Sequence, residues 1–311
     1  MILGTLPQIP VSHFQSLPRL KRRTLLAAAG CAALGARAQA HSLLRVAVPD
    51  DVAYDYALFL GRRDVRALRS FGGPHARRDV AELALLLREV ARTLPGTTVQ
   101  LVRIDSYQRA MLELRAGRVD VLGTTVWSTD LQALGPHALP SPALVAEGDF
   151  VVGLYTAPDN RVAQQAHSLG ALQALRAVSN SDWSADWRTL QALGMRSLMD
   201  VKTWRQMVLA VARGRADVLL APFPATPDLA LDAEGQHLVP LRGRALALVG
   251  ARHLAAATTP AGQAVAAQVF PALAALVSTG AVRRAYQECG FYNPRTSAWP
   301  VINDKTRPWR P

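Results

Sequence analysis

The chain has little cysteine, little lysine and no signature of local catalysis. Two cysteines, Cys31 and Cys289, occur in 311 residues, which excludes a disulfide-stapled scaffold and any C-x-x-C metal or redox site. Three lysines are present, and the arginines lie scattered among carboxylates without a long basic run or an aromatic RNA-reading motif. Nucleic acid is therefore not an expected partner. The chain contains no G-x-S-x-G, H-E-x-x-H, G-x-G-x-x-G or P-loop, and its seven histidines stand singly, so no catalytic residue, metal or cofactor is expected. Long apolar runs are also missing from the body of the chain. The Ala-rich stretch 261–282 is interrupted by Gln263, Gln268, Pro271 and Thr279, which fits a domain helix better than a membrane span.

What is present suits a globular protein. At 311 residues and 50% hydrophobic, the chain can bury a large core, and its length favours two lobes. Part of the formal +12 charge sits in residues 1–40, which hold Arg19, Lys21, Arg22, Arg23, Arg37 and no acid; without them 30 basic residues face 23 acidic ones, a balance of +7. This leader reads as an export signal: a basic stretch, the short apolar run "TLLAAAGCAALGA", and small residues at Ala38 and Ala40. Cleavage is expected after Ala40, with RR-x-L-L wording that also suits twin-arginine export. A lipid-anchor reading of Cys31 is weaker, because Ala28 stands where a larger aliphatic residue is usual. The mature chain then keeps Cys289 alone, read as a buried small hydrophobe.

The chain nearly repeats one word, "GRVDVL" at 117–122 and "GRADVL" at 214–219. Upstream of the first copy, "TTVQLVRI" reads as a strand, Ser106 as a helix cap, and Tyr107, Ala110, Met111 and Leu114 as one apolar helix face that Gly117 ends. An offset of 97 lands on Trp204, Met207, Val208, Val211 and Gly214. Each copy predicts a βαβ unit with parallel strands, and Asp120 and Asp217 each begin a strand beside a helix end.

Further elements follow the same reading. "LLRVAVP" (43–49) is a first strand, and 79–94 is a helix with Asp79 and Glu82 as a D-x-x-E cap. "DFVVGLYTA" (149–157), "LRAVSN" (175–180) and "ALALVGARH" (245–253) are strands, a helix runs from about Ser184 to Leu193, and 222–240 is a Pro-rich passage. A long helical tail reaches about Cys289.

Taken together, the exported N-terminus, "AMLELRAGRVDVLGTTV", "MVLAVARGRADVLLAPF" and the closing "LVSTGAVRRAYQECGF" resemble the family 3 extracytoplasmic solute-binding proteins. The resemblance implies an α/β, two-lobed type II periplasmic-binding-protein-like fold, each lobe a mixed sheet flanked by helices, with a ligand cleft between the lobes. It implies a first lobe of residues 41–147 and 243–293, a second of 148–242, and an irregular arm over 294–311. Members that bind α-amino acids use an Arg and an Asp at positions that fall here on Gln132 and Pro222, so the usual amino-acid anchors are absent. The family's Thr falls on Thr129. Residues expected beyond strand ends, and so in the cleft, are Tyr54, Tyr56, Trp127, Ser128, Thr129, Asn180, Ser181, Asp182, Trp183 and Phe223. Aromatics there suit a flat or cationic ligand.

The reading that follows is a monomeric periplasmic receptor that closes on a small-molecule solute and presents it to an ABC-type membrane transporter permease or a sensor. Two alternatives stay open. One is a periplasmic dehydratase or lyase on the same fold, using a cleft carboxylate such as Asp50, Asp55 or Asp182; the other is a ligand-independent accessory or sensory domain.

Overall fold

Residues 42–304 are described in a computed structural model, and they build two sheets. Strands β1 (Leu43–Val48), β2 (Thr98–Arg103), β3 (Val121–Leu122), β4 (Val126–Trp127) and β5 (Ala138–Val145) belong to the first. Strands β6 (Val151–Thr156), β7 (Arg176–Ser179), β8 (Ser197–Asp200), β9 (Val218–Pro222), β10 (Leu231–Ala233), β11 (Gln236–Pro240) and β12 (Leu246–Ala247) form the second, and β13 (Arg252–Ala257) returns to the first. The sheet orders are β2-β1-β3-β13-β4, with β5 on β13, and β10-β11-β6-β9-β7-β8, with β12 on β6. Both are mixed, and both are flanked by helices. The first lobe carries α1 (Asp50–Leu60), α2 (Arg78–Thr93), α3 (Tyr107–Arg115) and α4 (Ser128–Leu134); the second carries α5 (Arg161–Gln164), α6 (Leu169–Gln173), α7 (Ser184–Leu193) and α8 (Trp204–Ala212). The tail holds α9 (Pro260–Ala264), a π turn, α10 (Phe270–Ser278) and α11 (Ala281–Glu288).

The repeated word marks two equivalent units. β2-α3-β3 and β8-α8-β9 each pass over a central parallel strand, β1 or β7. Ser106 and Thr203 accept from the N–H three residues on, and Gly117 and Gly214 end the helices at φ 67° and 66°, a left-handed turn that glycine adopts without strain. Met111, Leu114, Met207, Val208 and Val211 are buried as their spacing predicts.

The structure corrects several boundaries. "ALALVGARH" is two strands, not one: Gly250, at φ 106°, turns the chain, β12 stays on β6, and the return crossing falls at 248–251, later than the expected 242/243. β5 runs to Val145, so the first crossing falls at 146–150, and the Pro-rich passage contains the β10–β11 hairpin. Residues 294–304 form turns rather than long elements. Asn303 accepts from the Ala247 N–H and donates to its carbonyl, at 2.9 and 2.8 Å, so the arm is fastened to the second lobe.

Glu82 is a further correction. It does not cap α2, whose residues Val80–Val90 are buried on all sides; it is wholly buried and accepts from the Thr125 N–H (2.8 Å), Thr125 Oγ1 (2.8 Å), Arg78 (2.8 Å) and the Tyr286 hydroxyl (3.1 Å). Polar satisfaction, rather than helix capping, explains this carboxylate. The continuous helical stretch Pro260–Ser278 is long and apolar enough to cross a membrane by composition, despite its interruptions, but Val265, Val269, Phe270 and Leu273 pack into the first lobe's core. Cys289 is buried, and burial pushes its thiol up to about 11. The export segment 1–40, Cys31 and the end of the arm lie outside the described residues.

Candidate ligand-binding cleft

Strand ends from both sheets converge on one cavity of about 450 Å³. From the first lobe come Tyr107, Trp127, Asp130 and Arg252; from the second come Asp182, Trp183, Asp186 and Trp204, with Phe150 and Leu248 where the chain crosses. The lobes touch at one rim of this cavity. Ser184 Oγ donates to Asp130 at 3.4 Å and Arg188 donates to Thr129 Oγ1 at 3.1 Å, bringing the N-terminal turns of α4 and α7 together.

The first-lobe wall is organised around Arg252. Its position on β13 sets it beside Trp127 of β4, and its guanidinium lies 4.5 Å from the Trp127 ring centroid and 5.6 Å from that of Phe150. Nε donates to Thr125 Oγ1 at 2.8 Å, Nη2 donates to the Thr125 carbonyl, and Thr125 Oγ1 donates in turn to Glu82. Among the described residues its hydrogen bonds go to Thr125 alone, and no carboxylate forms an ion pair with it. Burial lowers its pKa to about 10, and the neighbouring Arg78 charge acts in the same direction. A cation held dry, stacked on an indole and unpaired is arranged for an incoming anion.

The facing wall has the opposite sign. Trp183 and Trp204 stack at a 25° interplanar angle with centroids 6.4 Å apart, and Asp182 and Asp186 line the cavity with them, Asp182 also pairing with Lys202 Nζ at 3.6 Å. Burial raises Asp186 to about 6, although its own N–H and the Arg252 charge pull the other way. Asp130 is occupied: the Tyr107 hydroxyl donates to it at 2.7 Å, and that hydroxyl accepts from the Trp127 N–H at 3.2 Å. Burial, first of all, pushes the Tyr107 phenol up.

Of the residues expected in the cleft, Trp127, Asp182 and Trp183 line it. Ser128 begins α4, and Thr129 serves the lobe-to-lobe bond. Asn180 is buried and structural, donating to the Lys202 carbonyl and accepting from the Asp182 N–H; Ser181 is held by Asp200 and Lys202. Three aromatics are corrections, the two tyrosines because α1 begins at once after β1 and carries them away. Tyr54 is 63% exposed on the helix surface, Tyr56 is buried in the first lobe's core, and Phe223 packs edge-on to Trp299 on the face of β6 alternate to the cleft. Gly153 leaves room for that ring, since a Cβ there would meet Phe223 at 2.6 Å. Gln132 is exposed on α4, whereas Pro222 does line the cleft and offers it no carboxylate.

Tyr107, Phe150, Asp186, Trp204 and Arg252 were not among the expected residues. Tyr107 and Trp204 had a signal: the offset of 97 maps one onto the other, and each starts a helix just beyond a strand's carboxyl end. Arg252 had none.

No family model and no curated protein sequence matches the chain. The two sheets, their crossing segments and the cleft define the type II periplasmic-binding-protein fold, two-lobed and α/β. One solved structure agrees in fold. The probable amino-acid ABC transporter extracellular-binding protein ytmK from Bacillus subtilis superposes with a TM-score of 0.53 at 12% identity, covering 79% of this chain and 97% of that one. The periplasmic VFT2 domain of BvgS from Bordetella pertussis gives 0.49 at 18%, covering 84% and 94%, and the L-cystine solute receptor of Neisseria gonorrhoeae gives 0.44 at 18%, covering 81% and 94%.

Proposed function

We propose that the protein is a periplasmic solute receptor whose cleft takes a small zwitterion with separated charges, a carboxylate at one end and a flat or cationic group at the other, for delivery to a membrane permease or sensor. The observation that carries this reading is Arg252, among the described residues the one cation lining a cavity that also holds Asp130, Asp182 and Asp186. A carboxylate on Arg252 supplies the missing counter-charge, and a bidentate approach is the geometry guanidinium favours. The Trp183–Trp204 pair with Asp182 and Asp186 suits the other end, where cation–π and Coulomb attraction act together. An α-amino acid is the weaker candidate, because Gln132 and Pro222 stand where α-amino-acid binders of this fold carry an Arg and an Asp.

The test is thermal unfolding of the protein against betaines, ω-amino acids, α-amino acids, simple carboxylates and simple amines. A ligand at 100 times its Kd adds about 2.7 kcal/mol and raises the midpoint by roughly 5 °C or more. Solutes with a carboxylate and a remote cation are expected to give the largest shift. Amines that bind equally well without a carboxylate would sink the reading.

Asp186 favours a second reading. A cleft carboxylate that titrates near 6 can act as a general acid or base, as a lyase requires. Product formation from a bound solute, lost in Asp186→Asn, would move the protein to that class.

A further inference from the structure

The second lobe carries another cavity, of about 390 Å³, lined by Gln164, His167, Asp228, Val239, Arg242 and Arg244 among others. It shares no lining residue with the interlobe cleft. Arg244 is 5% exposed, and among the described residues no carboxylate pairs with it. Its Nη2 meets His167 Nδ1, and because a guanidinium can only donate, the imidazole offers that nitrogen as acceptor and neutralises none of the charge. Its Nη1 has no partner. Burial lowers the Arg244 pKa with no carboxylate to offset it.

A second orphan lies in the same lobe's sheet. Among the described residues two buried side-chain polar atoms lack a partner, Arg244 Nη1 and Thr156 Oγ1. Thr156 stands directly opposite Val239 in the β6–β11 ladder, and Val239 lines this cavity; cross-strand partners share a face of the sheet. The unpaired hydroxyl therefore stands on the sheet face that the cavity's Val239 shares, one strand inward from it. Asp228, the acid lining the cavity, is already engaged with the Ala230 N–H at 3.1 Å, and Arg242 donates to the Asp228 carbonyl oxygen at 3.4 Å. Two arginines against one engaged carboxylate leave the cavity positive.

We propose that this cavity is a binding site for a small oxyanion, whose oxygens accept from Arg244 and Thr156 and whose charge balances the buried guanidinium. A buried cation without a counter-ion and a buried hydroxyl without a partner are both costly, and an acceptor carrying negative charge removes both costs together. The site also has a structural consequence. Arg244 precedes Ala245, which bridges Val301 of the arm, and lies just ahead of the crossing at 248–251, so the anion seats the segment that returns to the first lobe.

The test titrates the full chain with potassium sulfate, phosphate and acetate, against potassium chloride at matched ionic strength, and follows thermal unfolding and heat of binding. A saturable one-site response to at least one oxyanion and not to chloride is expected, with sulfate and phosphate against acetate separating tetrahedral from carboxylate chemistry. Arg244→Gln is expected to weaken it by about tenfold or more. Arg252→Gln, in the cleft, is expected to leave it unchanged. Stabilisation that rises without saturation and equally in Arg244→Gln is the general exclusion effect of such salts and overturns the proposal. Loss in Arg252→Gln instead places the anion in the cleft and overturns it too. Should Arg244→Gln not fold, Arg242→Gln and Thr156→Val are read together: several-fold weakening in at least one is expected, and no change in either overturns the site.

Discussion

The two lobes use the same joint for the same purpose and then diverge within a few residues. In the first, Arg45 donates through its N–H, Nε and Nη2 to Asp120 at 2.8, 3.0 and 2.8 Å and through Nη2 to the Gly117 carbonyl at 2.9 Å. In the second, Arg176 makes the same four bonds to Asp217 and Gly214 at 2.8, 3.0, 2.8 and 3.0 Å. Even the fifth bond has a counterpart, from a helix N-cap: Thr259 donates to Asp120 at 2.7 Å, and Asn160 to Asp217 at 3.3 Å. Gly-x-x-Asp, gripped by an arginine of the neighbouring strand, is thus a staple that locks a helix end to the start of two strands. Beyond it, the first lobe breaks its strand at residues 123–125 and sets Thr125 under Arg252, while in the second β9 runs on to Pro222. The shared word holds the sheets together, and the departures from it make the cleft.

The largest effect is expected where the lobes differ most. Arg252→Gln removes the one cation that lines the cleft among the described residues, and a carboxylate ligand should lose about 2 to 5 kcal/mol of affinity by calorimetry. Equal binding would mean that the ligand is held by the second lobe's wall instead. The staples themselves give the next contrast. The Asp120 side chain is 2% exposed and its Arg45 partner 34%, whereas the Asp217 side chain is 16% exposed and its Arg176 partner 48%. Asp120→Asn should cost about 3 kcal/mol in urea unfolding, since it strands a charge beside a buried site, and Asp217→Asn about 1 kcal/mol. Equal losses would show that burial does not separate the two copies. Trp204→Ala tests the second lobe's aromatic wall and should weaken binding by about 1 kcal/mol, with Tyr107→Phe, its counterpart in the first lobe, doing less because the ring is kept.

Much of this plan is legible in the sequence because it is local. Caps at Ser106 and Thr203, stops at Gly117 and Gly214, and buried faces at helical spacing depend on neighbours a few residues away. The D-x-x-E spacing misleads at Glu82 because a carboxylate at N3 and a carboxylate demanded by Thr125 and Tyr286 look alike in one dimension. Tyr56 and Phe223 mislead for a related reason: following a strand puts a residue near the cleft, but helix phase and sheet face then decide where its side chain points. Arg252 is illegible because its meaning is tertiary. It sits in a strand that returns to the first sheet after the whole second lobe has been made, and only that return sets it against Trp127.

The last expected effect is read as a slope, and it sets the second lobe's acid against the staples. Asp186 has its carboxyl raised from an ordinary 3.8 to about 6 by burial, so between those values the folded protein holds a proton that the unfolded chain has released. Stability from this group is therefore full below about pH 4 and falls as pH rises toward 6. Asp120 and Asp217 act with the opposite sign. Hydrogen bonds from Arg45 outweigh the burial of Asp120, and those from Arg176 hold Asp217 down, so both contribute stability above the ordinary carboxylate range and lose it as pH falls through their lowered values. In the ligand-free protein Asp186→Asn should flatten the decline between pH 4 and 6 and leave the acid limb, which belongs to the staples, in place. Binding adds a second sign. If Asp186 faces the cationic end of the solute, affinity should rise with pH through about 6 and this rise should vanish in Asp186→Asn, whereas affinity that instead falls with pH would put the solute's anionic end against the second lobe and reverse the polarity of the cleft.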